Sequence, residues 1–377
     1  MKVIIVGAST SGLFAAYLLA KGGAEVEVYE RMNALGVPLR TLIVTGKMNE
    51  VLGFIPEEAI TNRVEYLELF SKTRSARVAL GSPDLIIERG KLIEVLGRMA
   101  ATSGAKIILR HQFQAYAHSG QRILVRFRDL ASNKERQVIA DILVGADGTA
   151  SDVSLAASRN GHRRTALLQA RVHMPEFFKE DTCKVWFAAN QTRYFYWLIP
   201  ESRNVATVGL IAEDTEGAKA GLTAFLQSHH LEPVEFQSAS VPMYRFEYPG
   251  NDWDPSRSIF LVGDAAAQVK TTTVGGLVTG LHGARALAQS ILHGKNYRQE
   301  LTKLRLELSL HLLVRHILNR FNNDHYDELI GMLKGGLKEV IEEWTRDELS
   351  RSFIKLIGKE PRLVTLGARA VLRSIFQ

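Results

Sequence analysis

The 377 residues contain one cysteine, Cys183. A lone thiol closes no internal disulfide and cannot furnish a multi-thiolate metal or iron–sulfur site, and a reducing, cytosolic setting is the expectation that follows. Long apolar runs are missing as well. No stretch of about 18 uncharged apolar residues occurs, which excludes a spanning helix. The apolar start Val3–Val6 passes straight into a glycine turn rather than a cleavage site, so no signal peptide is read. There is no internal repeat, low-complexity linker, Walker-type loop or serine elbow, and no His, Cys and Asp cluster with metal spacing. No metal is expected, and His229, His230 and His311 read as surface or packing residues.

What is present is the composition of a globular protein, 46% hydrophobic and 23% charged, with length for one large or two closely joined domains. The formal charge of +7 points to an anionic partner, which leaves nucleic acid, an anionic membrane and a phosphorylated substrate open. No nucleic-acid recognition motif accompanies the charge, so nucleic acid is not expected.

The N-terminus reads as strand, turn, helix, strand: Val3–Val6 is apolar, Gly7–Gly12 small, Leu13–Lys21 helical, and Glu25–Tyr29 alternates toward Glu30. A helix from Ile87 ends near Gly104 and leads into the β-branched run Lys106–Leu109. Alternating stretches at Ile123–Phe127 and Gln137–Val144 predict a hairpin that delivers the chain to Gly145. Residues Leu167–Ile211 are strand-like and aromatic, predicting an inserted antiparallel sheet. A second strand, turn and helix spans Ser258–Leu292, and Tyr297–Gln377 is helical.

Gly7-Ala8-Ser9-Thr10-Ser11-Gly12 between strand and helix is a dinucleotide-binding turn. Glycine permits the sharp bend, small residues let backbone N–H groups approach a pyrophosphate, and the last glycine lets helix and sheet pack closely. Ser9 stands where a middle glycine is usual, which crowds the approach. Glu30, with Arg31 beside it, is the acid expected to accept hydrogen bonds from a ribose. Two further glycine–acid turns follow apolar strands, Gly145-Ala146-Asp147-Gly148 and Gly263-Asp264-Ala265-Ala266. A nicotinamide enzyme needs only the first turn, whereas an extended cofactor such as FAD needs the chain to return to it. Asp264 is the candidate for a ribityl hydroxyl. Gly275 and Gly276 open the next helix, whose N-terminus suits the pyrimidine edge of reduced flavin.

At these residues the chain resembles the geranylgeranyl reductase family, flavoproteins folded like p-hydroxybenzoate hydroxylase. Gly263–Gly276 is similar to that family's GDAAGxVKPTTGGG stretch, with Ala267, Thr271 and Val274 where Gly, Pro and Gly are usual. The resemblance implies a role for Arg89 near the cofactor's phosphates and ribityl chain. Phe195-Tyr196-Trp197-Leu198-Ile199-Pro200 is similar to the family's YxWxFP segment, which implies that Tyr196, Trp197 and Pro200 line a lipid cavity. Some members carry a cysteine after the first acid, where this chain reads Arg40–Gly46 without one, so Tyr196 or water becomes the candidate proton donor.

The implied fold is α/β: a Rossmann-like FAD-binding domain of glutathione-reductase-like βαβ type from residues 1–150 and 255–295, an antiparallel-sheet substrate domain over 151–254, and a helical region over 296–377. The implied activity is FAD-dependent reduction of carbon–carbon double bonds in an isoprenoid or similar apolar substrate. An aromatic monooxygenase of the same fold is the alternative, and a prenyl-binding protein without catalysis a third reading. A second dinucleotide fingerprint is missing, so electrons are expected from transiently bound NAD(P)H or a ferredoxin-like carrier. The tail carries Arg351, Lys355, Lys359, Arg362, Arg369 and Arg373 against Glu360, among Phe353, Ile354, Leu356, Ile357, Leu366, Ile375 and Phe376. That pattern suits a helix lying on an anionic membrane surface.

Overall fold

In the computed structural model the described residues are 1–157, 162–176, 178–246, 258–333, 336–343 and 346–373. The expected domain boundary at 254/255 and the tail residues Ile375 and Phe376 lie outside them.

A five-stranded parallel sheet carries the N-terminal motif, in the order Ile259–Leu261, Ile142–Gly145, Lys2–Val6, Glu25–Tyr29, Lys106–Ile108. Its central strand is apolar on both sides because both faces are covered. Val3 and Ile5 pack with the helices Thr10–Lys21, Arg89–Thr102 and Leu277–His293, while Ile4 and Val6 pack with Phe113, Ile123, Val125 and Phe127. Those last residues belong to a small antiparallel sheet of His111–Ser119, Arg122–Asp129 and Glu135–Ala140. The expected hairpin is there, but its second arm divides at Asp141. Glu135–Ala140 completes the small sheet and Ile142–Gly145 enters the parallel one, with Asp141 accepting a hydrogen bond from the Lys2 backbone N–H at 2.7 Å.

An eight-stranded sheet forms the second layer, in the order Pro233–Pro242, Arg164–His173, Val205–Ala212, Tyr196–Pro200, Thr182–Trp186, Ile60–Phe70, Ser75–Glu88, Thr41–Val44. Its pairs are antiparallel except Thr182–Trp186 against Ile60–Phe70. The strands within 41–88 therefore pair with strands from 164–242, so the stretch 1–150 contributes to both large sheets. Charged residues scattered along Ile60–Phe70 (Arg63, Glu65, Glu68) and Ser75–Glu88 (Arg77, Asp84, Glu88) hide the strands from a reading that follows apolar runs. The helix Thr215–Ser228 packs on one face of this sheet through Phe225 and Leu222. The other face packs against Val269 and Val274, in the loop between Asp264 and the helix Leu277–His293.

The remainder is helical, through Tyr297–Glu300, Thr302–Leu318, Asn323–Met332, Gly336–Glu342, Leu349–Lys359 and Arg362–Arg373. Among the described residues no helix is long and apolar enough to cross a membrane.

Candidate functional site

The first turn is shaped by glycine for steric reasons. Gly7 has φ of +100°, and a Cβ there would stand 2.5 Å from the Ala146 carbonyl oxygen. Ser9 caps the first helix by accepting the Gly12 N–H at 3.1 Å. Glu30 folds back over the turn, accepting the Ala8 N–H at 2.7 Å and the Met32 N–H at 2.9 Å. Its carboxylate thus sits at the mouth of the turn, while Arg31 is exposed. Ser11 is buried: a Cβ on Gly263 would come within 2.7 Å of its Oγ, and one on Gly280 would collide with it. Its hydroxyl is packed between the two glycine segments rather than directed to the open side of the turn.

The third glycine–acid turn meets the first through that packing. Asp264 follows Gly263, whose φ is +67°, and its Oδ1 is 2.9 Å from where a Cβ on Gly276 would stand. Two arginines face it. Burial raises the Asp264 pKa, and Arg40, Arg89 and a hydrogen bond from Thr149 act against that rise. Burial and the Arg89 charge bring Arg40 down to about 10, with Asp264 opposing. Arg89 is lowered by burial, against Glu88, Asp264 and Glu30. Arg89 donates to the Pro38 carbonyl at 3.0 Å, yet the buried Nε atoms of Arg40 and Arg89 have no hydrogen-bond partner among the described residues. Glu88 fixes both arginines, capping the helix Arg89–Thr102 through Gly90 and Lys91 and accepting the Arg40 N–H at 3.0 Å.

The helix Leu277–His293 starts at Gly276, with no acid in its first turn. Ahead of it Val274 and Ala267 adopt φ of 55° and 50°. Two positions where the resemblance has glycine are thus left-handed here and occupied by side chains, at a cost of about 1–2 kcal/mol each. Lys270 N–H donates to the Gly275 carbonyl at 3.1 Å, closing the loop.

The second glycine–acid turn backs onto the first, since a Cβ on Gly7 would stand 2.8 Å from Asp147 Cα, and the Asp147 side chain is engaged locally. Asp147 accepts from Ser151 Oγ at 2.5 Å and from Val153 N–H at 3.2 Å, organising the start of the short helix Asp152–Ala156. Successive residues of a strand face opposite sides, and this separates Tyr196 from Trp197. Trp197 packs with Ile86, Tyr194, Ile199, Val269 and Val274 on the face toward the flavin loop. Tyr196 is turned to the other face, its ring stacked on Phe225 at 4.6 Å and 12°. The expectation of Tyr196 as cavity residue and proton donor is therefore corrected. Pro200 is buried on the same alternation as Tyr196, and its carbonyl accepts from Asn62 at 2.9 Å. Sequence reasoning also missed Arg40, whose only signal was a basic residue close to the first acid.

Two guanidiniums with unfilled buried N–H groups, an acid at each end and glycine backbones that no Cβ can occupy fit an extended, doubly charged nucleotide. A family model for the FAD binding domain matches residues 1–298. The chain belongs to the FAD-binding domain family. FAD is its cofactor and it is an FAD-dependent oxidoreductase. Digeranylgeranylglycerophospholipid reductase 1 of Methanothermobacter thermautotrophicus is 27% identical over 77% of this chain and 76% of that protein. The digeranylgeranylglycerophospholipid reductase of Methanocaldococcus jannaschii is 23% identical over 96% of each. Among solved structures, a geranylgeranyl bacteriochlorophyll reductase-like protein from Thermoplasma acidophilum superposes with a TM-score of 0.76 at 18% identity, covering 98% of both chains. The flavin-dependent halogenase CmlS gives 0.65 at 16% identity, over 96% of this chain and 78% of its own. These neighbours share the fold, which is the FAD-binding fold of the p-hydroxybenzoate hydroxylase type.

In this FAD enzyme, Glu30 would hold the adenosine ribose and Asp264 the ribityl chain, with Arg40 and Arg89 on the phosphates between them. Loss of one charge-assisted hydrogen bond costs roughly 1.5–3 kcal/mol, about tenfold to a hundredfold in affinity. Asp264→Ala and Glu30→Ala proteins should each bind FAD that much more weakly in a fluorescence titration. Unchanged affinity in both would remove these two residues from the site.

Proposed function

We propose that the enzyme saturates carbon–carbon double bonds of an isoprenoid lipid, reduced flavin supplying hydride. The observation that carries this reading is the apolar wall on the cofactor side of the large sheet, where Trp197, Ile199, Tyr194 and Ile86 pack onto Val269 and Val274 of the flavin loop. These side chains are buried against one another, so a hydrocarbon chain enters only where they part, and each CH₂ buried among them would contribute about 0.8 kcal/mol to binding it. The names of the reductases from the two methanogens support the same substrate class. The chain's own contribution is to orient the alkene and exclude water, and the flavin, when bound, supplies the redox chemistry. Of the two expected proton donors, Tyr196 and water, Tyr196 does not serve, nor does the lone thiol. Tyr196 faces away, and the buried Cys183 thiol is pushed up to about 12 by burial and donates to the Leu198 carbonyl at 3.3 Å. With bulk solvent kept out, one ordered water beside the flavin is the proton source in this reading, and NAD(P)H or a ferredoxin-like carrier is the electron source.

Peripheral attachment to an anionic membrane belongs to the same proposal. The tail's charge is smaller than the sequence suggests, because acids meet it: Lys359 pairs with Glu339 and Arg369 with Glu328 of other helices, Arg351 with the helix cap Glu348, and Arg362 with Glu360. Attachment then rests on apolar side chains left outside, Ile354 at 79%, Leu372 at 55% and Val364 at 52% exposure. The doubly substituted Ile354→Glu, Leu372→Glu protein should lose flotation with anionic liposomes while wild type floats; equal flotation of the two would rule the tail out.

For the reaction, dithionite-reduced protein incubated anaerobically with geranylgeranyl lipids should yield products heavier by pairs of hydrogens in mass spectrometry. Trp197→Ala should slow the reaction, whereas Tyr196→Phe and Cys183→Ala should leave its rate unchanged. No hydrogen gain, together with oxygen-dependent hydroxylation of an aromatic compound, would replace the reductase by a monooxygenase.

A further inference from the structure

Beside the flavin loop lies a group of buried charges that neither cofactor binding nor the apolar wall explains. Lys270 and Asp347 form an ion pair with side chains only 8% and 5% exposed. Thr45 Oγ1 donates to the second Asp347 oxygen at 2.5 Å. The neighbouring residue Arg346 pairs with Asp84 at 2.8 Å, Asp84 being 7% exposed. On the other side of Lys270, Thr272 shares a hydrogen bond of 2.7 Å with His311 Nδ1, and burial, then Lys270, bring the His311 pKa down to about 3 with Asp347 opposing, so the ring is neutral. Thr271 between them is fully buried, with its Oγ1 lacking a hydrogen-bond partner among the described residues.

Burying an ion pair costs free energy that an apolar pair of the same volume would not, so stability alone does not account for this group. Its placement does suggest a task. The atoms nearest to a Cβ placed on Gly275 are Lys270 Cε at 3.3 Å, Thr273 Oγ1 at 3.5 Å and Lys270 Nζ at 3.6 Å. The positive end of the pair thus lies against the Gly275–Gly276 turn. Asp347 and Thr45, from the C-terminal helical region and the end of the strand Thr41–Val44, hold it there.

We propose that Lys270 supplies a fixed positive potential to the flavin edge seated at Gly275 and Gly276, with Asp347 and Thr45 as the positioning residues that aim it and moderate its strength. The flavin accepts negative charge on that edge more readily because of it. This rests on the assignment of the pyrimidine edge to the Gly275–Gly276 turn, and it is independent of which substrate the enzyme reduces.

The test uses sulfite, whose sulfur lone pair forms a bond to flavin N5 and drives an electron pair, with its negative charge, into the pyrimidine ring. No substrate and no further reductant take part. Sulfite affinity, read from bleaching of the flavin band, and the flavin midpoint potential are compared in the holoproteins of wild type, Lys270→Met, Lys270→Arg and Asp347→Asn. A fixed charge and its counter-charge act with opposite sign. Lys270→Met should weaken sulfite binding on the order of tenfold or more and make the potential more negative. Lys270→Arg should recover most of the loss, and Asp347→Asn should tighten sulfite binding and raise the potential. If Lys270→Met and Asp347→Asn shift in the same direction, or neither shifts, the pair is only a structural crosslink and the proposal fails. Should Lys270→Met not retain flavin, Asp347→Asn decides alone, tighter sulfite supporting the proposal and unchanged or weaker sulfite refuting it. Wild-type protein that binds sulfite as expected but saturates no alkene would overturn the proposed reaction and leave this inference standing.

Discussion

The close approach of the first helix to the helix Leu277–His293 is the contact on which the site depends. It exists because Ser11 lies where Gly263 and Gly280 present no side chain. Segments about 250 positions apart are thereby brought to one end of the parallel sheet, so that the turn at Gly7 and the acid at Asp264 can serve one ligand. A methyl group at either glycine would push the helices apart. The Asp264 carboxylate, already in contact distance of Gly276, would lose its alignment with the Glu30 end. The fold is thus a means of holding two glycine–acid turns at a set spacing.

The interior electrostatics are consistent with a site prepared for an anion. Arg40 and Arg89 repel each other where burial already disfavours their charge, and although Asp264, Glu88 and Glu30 offset this, the buried Nε N–H of each guanidinium is left without a partner among the described residues. A pyrophosphate placed there would accept from those N–H groups, which is a reason for them to be left open. The second charge group, around Lys270 and Asp347, is balanced within itself by Asp84 and Arg346. The two groups meet at the Gly275–Gly276 turn, Asp264 nearest to Gly276 and Lys270 nearest to Gly275.

Much of this was legible in the sequence, and the remainder was not for identifiable reasons. The nucleotide turn, Glu30, Asp264 and the helix after Gly276 were readable because each is a local pattern of glycine, acid and apolar strand. The strands within 41–88 were not, since their alternation is broken by bulges near Asn62 and Tyr66 and by outward charges. The resemblance put Tyr196 and Trp197 in one cavity although adjacent strand residues face opposite ways, and only Trp197 packs toward Val269 and Val274. Asp347 left no local trace at all: its partners Thr45 and Lys270 are remote in sequence, and only the folded chain brings them together.

The central claim is that the Glu30 end and the Gly276 end belong to one extended cofactor. Titration of flavin-free protein with FAD and with FMN tests it directly, because FMN carries the ring system, ribityl chain and one phosphate but lacks the adenosine half that would reach Glu30. The account predicts one FAD per chain, bound at least about a hundredfold more tightly than FMN. Equal affinity for the two flavins would contradict it.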